Sequence, residues 1–415
     1  MKLFECFAGL GSQHRALCNV LNNKFKSVGI SEWYIPAIIG NDIINNGLQN
    51  SFKGYDNLDK KLMLNFISKF TLSMDSKTPY AHNKIKKFSY EKTRELYIAL
   101  KRTKNYGSIV DIKGKDLPKI DTMTYSVPCT DISTAGKGAG LEVGTRSGLL
   151  WEVKRILSEL SLENNLPSYL LMENVKNLFS KKHIDGWNEF ASFLENLGYK
   201  NTIMVLNAKD FGIPQNRQRA FCISELNGKD EIKVESIGSH TSIHDFLDLN
   251  NDDLIEEYKA AMPNNTPSRI KWIEKSKHLN NMTHCMTITT KTDRFPNPGM
   301  FFSDINGKLV DNVSNDWNIN GTKAPYRFLN SREILQLMGF QSNDYDLLKN
   351  IGMSNSRIQL MAGNSIVVPK LEAIFRAILK RIKDKKLVKD SFIPINNTEY
   401  IIDTNDNFIA VPNVA

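Results

Sequence analysis

Residues 3–17 read LFECFAGLGSQHRAL, and how this stretch is parsed decides the fold. Leu3–Phe7 is a short apolar run of strand length, and Gly9-Leu10-Gly11-Ser12 is a tight turn. From Gln13 to Leu21, the residues Ala16, Leu17, Val20 and Leu21 fall on one helical face. Strand, glycine turn and helix together make a nucleotide-type cradle. The glycines let the backbone approach a ligand, and the helix N-terminus offers unpaired N–H groups. The third glycine of the dinucleotide fingerprint is absent, because position 14 is His. Taken alone, the motif is weak, and the plainer reading is a turn between a strand and a helix.

The alternation continues outward. Ser27–Ser31, 120–127, 168–173, 201–206 and 219–224 read as further strands. Helical patterns fall near Tyr34–Ile44, Ser147–Leu160 and Trp187–Leu197. Strands alternating with helices predict an α/β fold with a doubly wound, mostly parallel sheet over residues 1–225. Residues 47–106 interrupt the rhythm, and their periodic stretches Leu58–Phe70 and Tyr90–Leu100 predict a helical insertion. Residues 226–350 form a second, smaller and irregular domain, rich in Asn, Asp and Thr up to about 325, with a helix at Ser331–Met338. Residues 351–385 hold a further helix, Leu371–Ile382, and 386–415 are a polar tail with no functional reading.

The totals exclude several classes. With 415 residues, 41% hydrophobic and 24% charged, the chain is long enough for a large core. It has no apolar run of the roughly 18 residues that a membrane helix needs. Its opening residues, with Glu5 and early glycines, do not read as a signal peptide. Five dispersed cysteines suit a reducing cytoplasm, and the scattered cysteines and histidines predict no metal site. A net charge of +9 favours a polyanionic partner, although Lys/Asn-rich runs such as Asn22-Asn23-Lys24 are as readily compositional habit.

Four further stretches carry chemistry. Ile30-Ser31-Glu32-Trp33 ends the second strand with an acid and an aromatic, about 20 residues after the glycine turn, where ribose hydroxyls are gripped. In SVPCTDIS (126–133), Cys129 follows a strand and precedes a glycine-rich loop; no His lies close, so a Cys-His hydrolase is poorly supported. Leu170–Val175 ends in Glu173 and Asn174, and a carboxyl at a strand end is costly unless used or paired. Its structural alternative is a salt-bridged Glu173 with Asn174 capping a helix. Arg217 and Arg219, two apart on an extended segment, point to one side and suit a phosphate or a planar carbonyl; the alternative is a solvated basic edge.

Taken in order, FAGLGS, SEW, PCTDIS, MENV, VLNAKDFGIPQNRQR, RFLNSREILQLMGF and AGNSIVV resemble the C5-cytosine DNA methyltransferases of the bacterial restriction–modification type. The resemblance covers roughly 1–45, 107–225 and 325–380. It implies a Rossmann-like catalytic domain that binds S-adenosyl-L-methionine, releasing S-adenosyl-L-homocysteine, and a small target-recognition domain across a DNA cleft. It places Phe7, Ala8, Gly9, Leu10 and Gly11 around the cofactor, with Glu32 on its ribose and Trp33 on its adenine. Pro128 and Leu149 line the same pocket, and Asn364 and Ser365 close it. Where the family often has an acid beside the adenine, this chain has Ser108, with Asp111 close by. The resemblance makes Cys129 the nucleophile toward C6 of a flipped-out cytosine, Glu173 the partner of N3 and the exocyclic amine, and Arg219 and Arg217 the contacts to O2 and phosphate. Ser133, Gln215, Thr287 and Thr289 are implied DNA-contacting residues. The family usually has Gln where this chain has Thr130.

The expected protein is thus a bacterial or phage-encoded, cytoplasmic monomer acting on double-stranded DNA, with a cognate restriction endonuclease as its functional counterpart. Two alternatives stay open: a tRNA cytosine methyltransferase with the same core, and a non-catalytic DNA-binding relative. The variable region of about 100 residues favours duplex DNA, since a specificity module needs room to read groove edges.

Overall fold

The first strand of the chain becomes the second strand of a six-stranded sheet in the computed structural model. The structure describes residues 1–49, 58–128, 147–238, 241–264, 275–292, 294–311 and 323–391, with isolated positions between 265 and 274 and two short strands at 400–402 and 408–410. The sheet strands are β1 (Lys2–Cys6), β2 (Lys26–Ser31), β3 (Thr122–Tyr125), β4 (Tyr169–Val175), β5 (Tyr199–Asn207) and β6 (Gln218–Leu226). Their order is β2-β1-β3-β4-β6-β5; β1 to β4 are parallel, and β6 runs antiparallel to both its neighbours. This matches the doubly wound, mostly parallel sheet that the sequence predicts, with β6 as the one reversed strand.

Side-chain alternation explains the layers. Leu3, Leu171 and Ile223 join Ala16 and Leu17 of α1 (Ser12–Leu21) in one apolar cluster. Phe4, Cys6, Met123 and Met172 face the other way, onto α6 (Leu150–Leu162) and α7 (Ile184–Asn196) through Val153, Ile156, Trp187 and Phe190. Successive strand residues point to opposite faces, so a sheet covered on both sides reads as nearly continuous apolar runs.

The insertion has a physical cause that is visible in α2 (Ile35–Asn46), which is buried at nearly every position. A helix that is apolar all round needs cover on every side. That cover comes from α3 (Lys60–Ile67), α4 (His82–Ile85) and α5 (Tyr90–Arg102), whose Ile67, Ile85, Leu96 and Leu100, with Phe88 between α4 and α5, pack with Ile35, Ile38 and Ile43. Asp42 of α2 is buried but paired with Arg102 at 2.9 Å.

Beyond β6 come short helices, α8 (Ile243–Phe246) and α9 (Ile255–Ala260), and a two-stranded pair, β7 (Met300–Phe302) with β8 (Tyr326–Phe328). Next are α10 (Ser331–Gln336), α11 (Ser342–Asn350), α12 (Asn355–Asn364) and α13 (Val368–Ser391). The RFLNSRE segment proves architectural. Asn330 and Glu333 form a capping box at the start of α10, and the fully buried Arg327 meets both oxygens of Glu333 at 2.8 Å. The apolar cluster beginning at Leu3 continues through Ile243, Leu279 and Ile334 to Phe375 and Ile378.

One buried acid sets a pH dependence. Glu5 is fully buried beside α1, and neither of its carboxyl oxygens has a hydrogen-bond partner among the described residues. Burial pushes its pKa up from the ordinary 4.5 to about 8. The folded state therefore keeps a proton that the unfolded chain releases, and the associated stability is lost as pH rises from 4.5 toward about 8. Glu5→Gln stays uncharged throughout. By urea unfolding it is expected to match the parent within about 1 kcal/mol near pH 5, and to exceed it by about 2 kcal/mol or more near pH 8, one pKa unit being about 1.4 kcal/mol. Equal pH profiles for the two proteins would show that Glu5 is already ionised.

Candidate functional site

The turn after β1 is held from outside. Gly9 and Gly11 have φ of 54° and 78°, and Phe7 adopts 57°. Asn41 on α2 donates to the Gly9 carbonyl at 3.1 Å, and Asn45, one helical turn on, donates to the Leu10 carbonyl at 3.3 Å. A Cβ on Gly11 would lie 2.9 Å from the Asn41 amide nitrogen, so that position requires glycine on space as well as on φ. A Cβ on Gly9 meets nothing within 4 Å. This turn opens beside a cavity of about 310 Å³ at the C-terminal ends of the parallel strands.

The cavity gathers six of the twelve residues that the sequence singles out for a cofactor. Phe7, Glu32, Trp33, Ser108, Pro128 and Leu149 all line it. Ser108 lies on its wall, while Asp111 is exposed and outside it. Glu32 accepts from the backbone amides of Gly9 (2.9 Å), Trp33 (2.9 Å) and Tyr34 (2.8 Å). Loss of solvent raises its pKa, and these three amides oppose the rise. A carboxylate so fixed joins the first glycine turn to the end of β2 and keeps a defined orientation.

The other described residues named from the sequence sit off the cavity wall. Leu10 is fully buried in the core and Ala8 nearly so, leaving their backbone, not their side chains, to shape the turn. Asn364 and Ser365 are not on the cavity wall. They sit at the end of α12, where the Ser365 hydroxyl donates to the Met361 carbonyl at 2.9 Å. Arg217 is not aimed at a ligand: its buried guanidinium donates to the carbonyls of Ile288 (2.7 Å), Gly363 (3.0 Å) and Ser365 (3.0 Å). Gln215 is fully buried, donating to the Leu337 carbonyl at 2.8 Å and accepting from the Ile288 amide at 3.0 Å. The hydroxyl of Thr287 donates to the Asn216 carbonyl at 2.7 Å, and that of Thr289 to the Lys291 carbonyl at 2.8 Å. Segments 214–217, 285–289 and 363–365 thus form a polar seam tying the irregular region to the sheet.

Glu173 and Arg219 do come together. Glu173 ends β4, largely buried, and Arg219 Nε lies 3.5 Å from its Oε1. The reversal of β6 achieves this, because it sets Arg219 opposite Val175 in register, at the C-terminal end of β4. The alternative reading of Asn174 as a helix cap does not hold. Its amide reaches the Val127 carbonyl at 3.4 Å, tying the end of β4 to the segment leading into Cys129. Cys129 and Ser133 themselves lie outside the described residues.

Three contributions were missed by sequence reasoning. The i,i+4 pair Asn41/Asn45 in an otherwise apolar helix is a legible signal in retrospect. Lys370 is completely buried, donates to the Arg217 carbonyl at 3.3 Å and lies 5.2 Å from the centre of the Phe221 ring; burial and then Arg217 push its pKa well down. Nothing in its local sequence marks it. The third, four insertion residues on the cavity wall, depends on tertiary placement alone. Among the described residues no cluster of three or more His, Cys, Asp or Glu could hold a metal, and no helix is long and apolar enough to cross a membrane.

Comparison with known proteins adds an independent line. The family model for C-5 cytosine-specific DNA methylases matches residues 63–380. The Type II methyltransferase M2.ScrFI of Lactococcus lactis subsp. cremoris is 36% identical over 386 residues, covering 92% of this chain and 99% of its own. The orphan methyltransferase M.SssI of Spiroplasma monobiae is 34% identical over 398 residues, covering 91% of this chain and 97% of its own. Among solved structures, the S. pombe Dnmt2 methyltransferase aligns with a TM-score of 0.59 at 18% identity, over 92% of this chain and 99% of that one, a likeness of fold.

Proposed function

The chain belongs to the C-5 cytosine-specific DNA methylase family, and we propose that its cavity at the ends of β1–β3 holds S-adenosyl-L-methionine while Cys129, Glu173 and Arg219 act on a flipped-out cytosine. The observation that carries this reading is the convergence of Phe7, Glu32, Trp33, Ser108, Pro128 and Leu149 on one cavity. The residues fit the cofactor: an aromatic face for a purine, a fixed carboxylate at ribose position, and a volume in the range of small-molecule sites. When bound, the cofactor supplies an electrophilic methyl group on sulfur.

The chain's own residues do the rest. Cytosine C5 is a poor nucleophile, so the ring must first be made electron-rich. The Cys129 thiolate adds to C6 while Glu173 holds the N3 proton and the exocyclic amine, giving C5 enamine character. Arg219, beside Glu173, is placed to meet O2 of the same ring and to keep the carboxyl oriented. After C5 is methylated, loss of its proton and expulsion of the Cys129 thiolate restore the aromatic ring. The target atom is inaccessible in a stacked duplex, so the base is flipped out.

The protein is a DNA cytosine-5 methyltransferase of the restriction–modification type. Its action as a monomer, and a cognate endonuclease as functional counterpart, belong to this proposal. The decisive experiment incubates the purified protein with methyl-labelled S-adenosyl-L-methionine and either duplex DNA or tRNA, then maps 5-methylcytosine by bisulfite sequencing. Label in duplex DNA at one recurrent sequence is the expected result. Label in tRNA alone would replace DNA with RNA as the substrate.

Glu173→Gln keeps hydrogen bonding but cannot share a proton with N3. It is expected to lower kcat about 10²- to 10³-fold, the range of a lost general acid, with S-adenosyl-L-homocysteine binding unchanged. Parent-like single-turnover rates would remove Glu173 from the chemistry.

A further inference from the structure

The insertion at 47–106 does more than cover α2. Its connection from α3 to α4 includes a compact loop, Leu72–Tyr80, closed by the Tyr80 amide donating to the Leu72 carbonyl at 2.7 Å. Asp75 organises the interior, its Oδ1 accepting from the amides of Lys77 (2.8 Å) and Thr78 (2.9 Å) and from the Ser73 hydroxyl (3.0 Å). These donors hold its carboxyl well below the usual range. Ser76 takes a left-handed φ of 53°, which turns the chain at the tip. The loop is also welded to the strand end that carries the aromatic. The Ser73 amide donates to the Trp33 carbonyl at 2.7 Å, and the Ile35 amide donates to the Ser73 carbonyl at 2.9 Å.

From this anchorage Thr71, Ser76, Lys77 and Pro79 form one wall of the cavity that holds Trp33 and Ser108. We propose that the 73–79 loop is a nucleoside-binding element: it completes the adenosine end of the cofactor site, with Lys77 at the mouth and Pro79 as an apolar edge. The assignment to the adenosine end, and not to the sulfonium, follows from position. The loop pairs with the backbone of Trp33 and Tyr34, and Trp33 is the aromatic read as the adenine face, whereas the glycine turn is held by Asn41 and Asn45 and not by this loop. A lysine ammonium has three donors and no acceptor, and a purine edge and ribose hydroxyls present acceptors. The exposed Lys77 side chain can fold over a bound nucleoside and slow its escape.

This inference rests on the reading of the cavity as the S-adenosyl-L-methionine site, and the test separates the two. Titration calorimetry on the full-length chain measures S-adenosyl-L-methionine and S-adenosyl-L-homocysteine binding to the parent and to Lys77→Ala/Pro79→Ala. Both changes are at exposed positions, and Asp75→Ala, which unpins the turn, is the second variant. The expected result is affinity about tenfold weaker in each variant, by the same factor for both ligands, since both carry the same adenosine. Duplex DNA affinity and the thermal midpoint of the free Lys77→Ala/Pro79→Ala protein should stay at parent values. Affinities within twofold of the parent would overturn the role of the loop. A loss confined to S-adenosyl-L-methionine would move Lys77 to the sulfonium end and overturn the nucleoside assignment. A parent that binds neither ligand would overturn the cavity reading itself.

Discussion

Cys129→Ser is expected to abolish methyl transfer, with kcat falling by about four orders of magnitude or more, as when a covalent nucleophile is removed, while S-adenosyl-L-homocysteine binding stays within twofold of the parent. A serine hydroxyl remains protonated near neutral pH and has no neighbouring base in the proposed mechanism, whereas a thiol yields a useful fraction of thiolate. The described chain up to Pro128 is tied to β4. Strand β3 pairs with β4 in parallel, Tyr125 opposite Met172, and Asn174 bonds the Val127 carbonyl. The segment into Cys129 therefore leaves the sheet next to Glu173. The other four cysteines are poor competitors. Burial pushes the thiols of Cys6, Cys222 and Cys285 strongly upward, and that of Cys18 upward as well. A duplex with 5-fluorocytosine at the target cannot lose fluorine as the C5 proton is lost, so the adduct should accumulate and peptide mapping should find it on Cys129 alone. Turnover by Cys129→Ser at the parent rate, or an adduct on another cysteine, would refute covalent catalysis from this position.

How far these roles could be read in advance follows a physical division. The sheet was legible because its strands are short apolar runs alternating with helical periodicity, and the six strands sit where the pattern puts them. The helix predicted at Leu371–Ile382 extends to Val368–Ser391, since periodicity marks the buried face and not the frayed or polar ends. Glu32 and Glu173, at strand ends, were legible because an acid closing an apolar strand is anomalous. Buried struts were not. Gln215, Arg217 and Thr287 look like ligand-contacting residues in one dimension; only their packing shows their polar atoms satisfying backbone groups of distant segments. The same holds for Thr71, Lys77 and Pro79, which reach the cavity through a loop whose register is set by pairing with Trp33.

Arg217 carries the second large effect, and it is one of stability. Its guanidinium joins three carbonyls from two segments more than 70 residues away in sequence, Ile288 on one side and Gly363 and Ser365 on the other. A Cβ at Gly363 would lie 2.6 Å from the Thr290 amide nitrogen, so the two segments meet backbone to backbone. Arg217→Met fills a similar volume and gives those carbonyls no donor. Unpaired buried polar groups cost about 1–3 kcal/mol each. Part of this is offset, because Lys370 is relieved of a neighbouring positive charge. The net expectation is destabilisation by about 3 kcal/mol in urea unfolding. Arg217→Lys should recover less than half of it, since one ammonium cannot serve both sides of the seam in the guanidinium's fixed plane. The methylation rate per folded molecule should fall far less than in Glu173→Gln, because Glu173 keeps its own partner in Arg219. Unchanged stability with a collapsed kcat would restore the reading of the paired arginines as substrate contacts; a stability loss with near-normal chemistry assigns Arg217 to the seam and leaves Arg219 as the arginine of the active site.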